Sequence, residues 1–318
     1  MNWSKFYKKY GLFILLAVLT VIFSILNRQF LTIDNLMNIL RQISMFGIVV
    51  VGYTMVMVSG GCDMSVGGQA ALCGMFAATL NVSLGLPTGV VLLLTLLLGA
   101  LFGFVNGLLM VTFNIMPIVV TLATMLFFQG AAYIISGGVA IFGLSDSMKW
   151  IGQGSVGPIP VPIILLIVTG IFGYITLHKT YFGRQLYAMG GNPEAARLSG
   201  ISIKKNRLAV FTITGILAAL SGIIIAARTG SAQPSAGTTY PFDCMTAVVL
   251  GGVSFAGGSG SILGAMMGVV IIGVLTNGMQ LNGMDSNMIS CVKGIVLLIA
   301  IGIDSMQNAD RKRAKRIA

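Results

Sequence analysis

The amino-acid sequence predicts an all-α integral membrane protein. About ten transmembrane helices are expected, with broken or re-entrant segments and one short helix in a cytoplasmic loop. Three observations carry this. Of 318 residues, 19 are Lys or Arg and 8 are Asp or Glu, so charged residues make up 8%, where a soluble domain carries about 25%. Hydrophobic residues make up 56% and the mean hydropathy is +0.95, which leaves too little polar surface to wrap a water-soluble body. The apolar stretches are continuous rather than alternating. In lipid, backbone polar groups must be satisfied within helices or a closed barrel, and a barrel would need alternation. The same composition excludes a disordered chain, a collagen and a disulfide-stapled secreted scaffold.

The first apolar run, Tyr10 to Leu26, follows a basic segment and has 17 residues, about the minimum for a span. No small-x-small cleavage site follows it; the chain continues Asn27-Arg28-Gln29-Phe30. It reads as an uncleaved first helix over 10–26. Further helices are expected over 43–59, 65–82, 88–111, 116–136, 159–178, 208–227, 243–255, 262–281 and 288–306. The eighth is short and glycine-rich, so it reads as a broken or re-entrant segment. Glycine is abundant, 42 residues, and two runs have strict spacing: Gly99-Gly103-Gly107 and Gly260-Gly264-Gly268. Residues four apart share a helix face, so each run offers a groove where another backbone can approach. Such a seam serves tight packing, or slides during a conformational cycle. Val58-Ser59-Gly60-Gly61 and Val249-Leu250-Gly251-Gly252 form a faint internal echo before small, polar stretches, as repeated broken helices do around transport routes.

Charge sets the orientation. The segments assigned to the cytoplasm hold fourteen cations: Lys5, Lys8 and Lys9; Lys179, Arg184, Arg197, Lys204, Lys205 and Arg207; Arg311, Lys312, Arg313, Lys315 and Arg316. The opposite side holds four, Arg28, Arg41, Lys149 and Arg228, and Lys293 falls inside the last span. This asymmetry places both termini in the cytoplasm, with 179–207 inside and 137–158 outside. The net charge of +11 is therefore anchoring charge beside apolar runs, and no nucleic-acid partner is expected. Cys62, Cys73, Cys244 and Cys291 form no CxxC pair and read as small hydrophobes in helix contacts.

The chemistry is sparse. No GxxxxGK[ST] loop is present to cradle nucleotide phosphates. The single histidine, His178, lies beside Lys179 at a span end, so no serine–histidine pair stands out, and metal-ligand clusters are absent. Asp63 is the notable acid, set in Gly60-Gly61-Cys62-Asp63-Met64-Ser65-Val66-Gly67-Gly68 between two apolar runs. An ionisable group near membrane depth usually faces a cavity or a partner, and Asp63 or Ser65 could equally cap the next helix. Asp63, Ser65, Asn106 and Gln129 are the candidate residues of a polar pathway. In 190–201, Asn192 is a good N-cap, Pro193 fits the first helical position, Glu194 complements the dipole and Gly200 can close the helix in a left-handed cap. The helix so defined is too short to be stable alone and must dock on something.

Glu194-Ala195-Ala196 followed by Gly200 resembles the EAA---G coupling loop of ATP-binding-cassette importer permeases. More narrowly, GGNPEAARLSGI (190–201), GCDMSVGG (61–68), TGSAQPSAGTTYPFD (229–243) and AVVLGGVSFAGGSGSILGA (247–265) resemble the ribose-type monosaccharide permeases, and the likeness covers essentially the whole chain. Cys62, where relatives often carry an aliphatic residue, and Pro241-Phe242 before Asp243 are departures.

The resemblance implies one polytopic permease domain over 1–318 in a bacterial cytoplasmic membrane, and a non-catalytic subunit. It implies a second copy of the chain, an extracytoplasmic binding protein delivering a sugar such as ribose or a related pentose or hexose, and a cytosolic tandem ATPase. Asn192, Pro193, Glu194, Ala195, Ala196, Arg197 and Gly200 would form the helix coupled to that ATPase. ATP and Mg2+ would be held on the ATPase, with no cofactor bound by this chain. The other reading, an ion-coupled secondary transporter of a small polar solute, would need midplane acids or unwound carbonyls to bind the coupling ion. Asp63 is the one acid that fits, since Asp243, Asp285 and Asp304 fall near span ends.

Overall fold

The computed structural model describes residues 3–317, with the side chains of residues 11–306. The cation side chains at both ends of the chain fall outside the described residues. The chain opens with α1 (Trp3–Leu26) and α2 (Ile33–Val58), followed after a break by α3 (Val66–Ala78). A π-helical turn, Thr79–Ser83, carries α3 to its end. Next come α4 (Thr88–Phe113) and α5 (Pro117–Ser136), joined through Asn114 in the left-handed conformation (φ 53°). Strand β1 (Ile141–Phe142), α6 (Asp146–Gln153) and the hairpin of β2 (Ser155–Val156) and β3 (Ile159–Pro160) lead to α7 (Val161–Lys179). Then come α8 (Tyr181–Gly191), α9 (Pro193–Leu198) and α10 (Ile203–Thr229). The rest is β4 (Ser231–Ala232), which pairs antiparallel with β1, and α11 (Tyr240–Leu250), α12 (Ile262–Leu281) and α13 (Ser286–Ile317).

Among the described residues, α2, α4, α5, α7, α10, α12 and 286–306 of α13 are long and apolar enough to cross a membrane. Two further apolar helices are shorter, Gly11–Leu26 and Tyr240–Leu250. The expected span over 243–255 is thus the half-helix α11, whose 11 residues reach only about 16 Å at 1.5 Å per residue, against a hydrocarbon core of about 30 Å. The second span begins ten residues earlier than expected, at Ile33. Asp34, Arg41 and Gln42 interrupt its hydropathy, yet Asn35 is buried, donating from Nδ2 to Phe30 O (2.8 Å) and exchanging amide hydrogen bonds with Asn277 of α12 (2.9 Å). Buried polar groups satisfied in this way let a helix hide residues that read as loop.

Hydrogen bonds gather the connections onto two faces. On one, Asn27 Nδ2 donates to Leu281 O, Ser145 N–H donates to Asn81 Oδ1, and Gln153 Nε2 reaches the carbonyls of Ala227 and Arg228. On the other, Tyr187 O–H donates to Gly260 O, Gly258 N–H to Val58 O, and Phe255 N–H to Asp304 Oδ2. Helix α10 packs across α4, α3 and α2 at the centre. Large side chains such as Leu97, Phe127, Ile134 and Ile167 remain exposed on α4, α5 and α7, the surface a helix presents to lipid.

The seam of Gly99, Gly103 and Gly107 faces α10. A Cβ on Gly103 would lie 2.9 Å from Thr212 Cα and overlap Phe211 O, and one on Gly107 would lie 3.0 Å from Leu208 Cα. The second run is only partly a seam. Gly264 and Gly268 lie against the backbone of Gly251 and Ala247, but Gly260 precedes the cap Ser261 and packs on Val253 with φ +136°. It is not on the helix face, because α12 starts only at Ile262.

Candidate functional site

The break between α2 and α3 is made by a glycine cap. Gly60 takes φ +80°, its N–H donates to Met57 O, and Gly61 N–H donates to Val56 O. These are the two hydrogen bonds that close a helix through a left-handed residue. Helix α11 ends by the same device, with Gly252 at φ +83°, Gly252 N–H on Val249 O and Val253 N–H on Val248 O. The sequence echo thus marks two identical terminators, displaced by one residue relative to the letters. The two loops also meet. Gly258 N–H donates to Val58 O (2.8 Å), and Gly190 of α8 packs against both, leaving no room for a side chain.

Beyond the break lies a buried polar cluster. Asp63, Ser65, Gln69 and Asn106 are each inaccessible to solvent. Asp63 Oδ1 accepts from Ser65 N–H (2.9 Å) and from Ser65 Oγ (2.5 Å), and Ser65 Oγ accepts from Gln69 Nε2 (2.6 Å) and Asn106 Nδ2 (2.8 Å). Met64 N–H donates to Thr121 Oγ1 of α5 (3.0 Å), which holds the loop against that helix. Asp63 Oδ2, Gln69 Oε1 and Asn106 Oδ1 are buried without a protein partner. Ser65 is the N-cap residue of α3 but makes no side-chain cap bond, and Asp63 accepts from the N–H of that residue. Ser65 already has helical angles (φ −81°, ψ −12°), and its hydroxyl is engaged by Asp63, Gln69 and Asn106 rather than by a backbone N–H of α3.

The structure therefore brings Asp63, Ser65 and Asn106 together and adds Gln69, which a search for acids passes over. Gln129 is elsewhere, on α5, where with Gly67, Gly68, Thr238 and Phe242 it lines a separate cavity of about 140 Å³. His178 is a structural tie, its Nε2 accepting from Ile262 N–H (3.4 Å) and its ring lying beside Tyr174 and Tyr187. Cys62, Cys73 and Cys244 are buried free thiols, and Cys62 Sγ meets Tyr53 OH at 3.1 Å.

On the face that carries Gly190, α9 has every start and stop signal in place. Asn192 Oδ1 accepts from Ala195 N–H (3.1 Å), and Pro193 stands in the first turn. Gly200 takes φ +82°, its N–H donating to Arg197 O and Ile201 N–H to Ala196 O (both 3.0 Å). Arg197 forks onto Glu194, with Nη2 to Oε1 at 2.6 Å and Nε to Oε2 at 3.2 Å. The Glu194 carboxyl is held below the usual carboxylate range by its hydrogen bond to the Arg197 guanidinium and by that group's charge. Both side chains are exposed, so the pair shapes a surface more than it stabilises the fold. Ala196 alone of 191–200 is buried, which fixes the inward side of α9, while Leu198 is 76% exposed.

An ion pair escaped the sequence reading. Lys293 Nζ of α13 meets Asp243 Oδ1 of α11 at 2.9 Å, with both side chains largely buried, and Asp243 Oδ2 accepts from Thr239 Oγ1 (2.8 Å). A lysine inside an apolar span was the available signal, since such a charge needs a partner.

Comparison with known proteins fits this architecture. A family model described as branched-chain amino acid transport system / permease component matches residues 35–301. The chain is 41% identical over 304 residues to the ribose import permease protein RbsC of Bacillus subtilis, covering 95% of this chain and 94% of that one. It is 33% identical to the galactose/methyl galactoside import permease protein MglC of Escherichia coli, over 98% of both chains. It is 32% identical to the xylose transport system permease protein XylH of Haemophilus influenzae, over 93% and 96%. No solved structure matches the chain. A multi-pass helical chain matched by that family model along most of its length, and by these permeases from end to end, belongs to the family of transport-system permease components.

Proposed function

We propose that the chain is the membrane-spanning subunit of an ATP-driven sugar importer. Two copies would form the route for a monosaccharide, a pentose such as ribose or a related hexose, delivered by an extracytoplasmic binding protein. A cytosolic tandem ATPase would carry ATP and Mg2+, and this chain would move solute without catalysing a reaction. The observation that carries the reading is the identity of 32–41% to three sugar permeases over more than nine-tenths of the chain.

The charge asymmetry supports placing the α9 face, and both termini, in the cytoplasm. Helix α9, with Asn192, Pro193, Glu194, Ala195, Ala196, Arg197 and Gly200, is then the docking element for the ATPase. Its physics suits the role: its caps are complete, its outer surface is exposed, and α8 behind it rests through Gly190 on the end of α2. A push on α9 would reach the break at 59–65 and the Asp63–Ser65–Asn106 cluster, where the pathway is placed. Alternative packings of α4 on α10 and of α11 on α12, along the glycine seams, would supply two discrete states for the ATPase to bias.

The test is uptake of labelled ribose, xylose and galactose by vesicles holding the full complex. ATP-driven uptake of at least one sugar that survives a protonophore supports the reading. Uptake that follows the proton or sodium gradient and ignores ATP overturns it.

A further inference from the structure

The Asp243–Lys293 pair borders a cavity of about 230 Å³ between α2, α11, α12 and α13. Gln280 lies one residue before the end of α12 and Ser286 opens α13, so its mouth is on the face opposite α9. Stability does not explain the pair, because a buried ion pair seldom outperforms apolar packing of the same volume. The cavity wall has a composition of its own. It combines a carboxylate, an ammonium, the amides of Gln42 and Gln280, and the hydroxyl of Thr276, whose Oγ1 is buried without a partner. Phe46 and Tyr240, with ring centroids 6.3 Å apart, give it an apolar side.

We propose that this cavity is a solute-binding vestibule of the permease, in which a single neutral sugar ring is held before it crosses. The proposal rests on the sugar-permease reading above. One carboxylate and one ammonium cancel, so the site has no net attraction for an ion. Together they offer a strong acceptor beside a strong donor, the pattern that adjacent hydroxyls of a sugar complement. The Thr276 hydroxyl supplies a further unpaired group, and the aromatic side meets the C–H face of the ring. The volume is below the roughly 300–1,000 Å³ of pockets for drug-sized ligands, as suits a monosaccharide.

The experiment uses Ser290→Cys at the exposed rim, in a chain whose four native cysteines are alanine and which still transports, within the full complex in nanodiscs. The rate of modification by a membrane-impermeant maleimide is measured with ribose, xylose, galactose or leucine. The transported sugar should slow the reaction several-fold and saturably, while leucine should not. Adding Thr276→Val, which leaves the ion pair intact, should raise the half-protecting concentration about tenfold without changing the sugar-free rate, and Lys293→Met should abolish protection. A transported sugar that gives no protection overturns the vestibule alone. Protection that Thr276→Val leaves unchanged, or protection by leucine instead, also overturns it. A complex that transports none of the three sugars overturns the permease reading and the sugar site with it.

Discussion

Replacing Gly103 with alanine and Gly170 with alanine makes the same chemical change in two apolar helices, and the structure gives the two opposite signs. A Cβ on Gly103 would lie 2.9 Å from Thr212 Cα and overlap the carbonyl oxygen of Phe211. Both are backbone atoms of α10, so no side chain can turn aside and α4 must move away. Overpacking of this kind costs about 1–3 kcal/mol, and a backbone contact belongs near the upper end. The gain in helix propensity from Gly to Ala, about 1 kcal/mol, offsets part of it, leaving a net loss of about 2 kcal/mol. Gly170 of α7 has nothing within 4 Å of its would-be Cβ, so there the propensity gain stands alone. Taking roughly 2 °C per kcal/mol for a chain of this size, Gly103→Ala should melt about 4 °C below the wild type and Gly170→Ala about 2 °C above it. The assay is thermal denaturation of the purified protein in one detergent, followed by intrinsic fluorescence. Equal midpoints for the two variants would refute the claim that the α4–α10 seam is closed on backbone.

Substitutions in three other regions have defined outcomes. Gly200→Val places a β-branched residue at φ +82°, at a cost of about 1–2 kcal/mol, and Glu194→Lys turns the Arg197 pair into a repulsion. Both should leave membrane abundance normal while abolishing uptake and the ATPase stimulation caused by loaded binding protein, as read by blotting and phosphate release. Asp63→Leu strands the Ser65 N–H and hydroxyl, a loss of about 1–3 kcal/mol, and should cut transport, whereas Asp63→Asn keeps the Oδ1 acceptor and should retain most of it; equal transport by both would remove the cluster from the mechanism. Ser147→Cys, exposed in the first turn of α6, should react with an impermeant thiol reagent on intact cells when the four native cysteines of the chain are replaced, and reaction only after permeabilisation would invert the topology.

The sequence was most legible where local chemistry decides structure. Asn192, Pro193 and Gly200 specify α9 through contacts within ten residues, and the structure reproduces each of them. Continuous apolar runs likewise announced the long spans. The reading failed where a residue's role depends on a distant partner. Asn35 can lie buried in the first turn of α2 because Phe30 O and Asn277, the latter 242 residues away, satisfy its amide. Asp243 and Lys293 looked like a span-end acid and a stray base until α11 and α13 were set side by side. Asp63 was legible as an unusual acid, but Asn106, which joins its cluster through Ser65, comes from α4, and a cap was the nearer explanation in sequence. Gly260 followed the four-residue spacing of a seam, although the helix starts after it.

The most direct test of energy entering through α9 is disulfide cross-linking within the assembled transporter. Leu198→Cys is the probe, because Leu198 is 76% exposed whereas Ala196 faces the permease. Single cysteines are placed across the surface of the ATPase and oxidised with copper phenanthroline. The account predicts one compact patch of ATPase positions that cross-link efficiently, with uptake blocked by the bond and restored by reduction. Absence of any cross-link while the complex imports sugar on ATP, or a cross-link that leaves import undiminished, would contradict it.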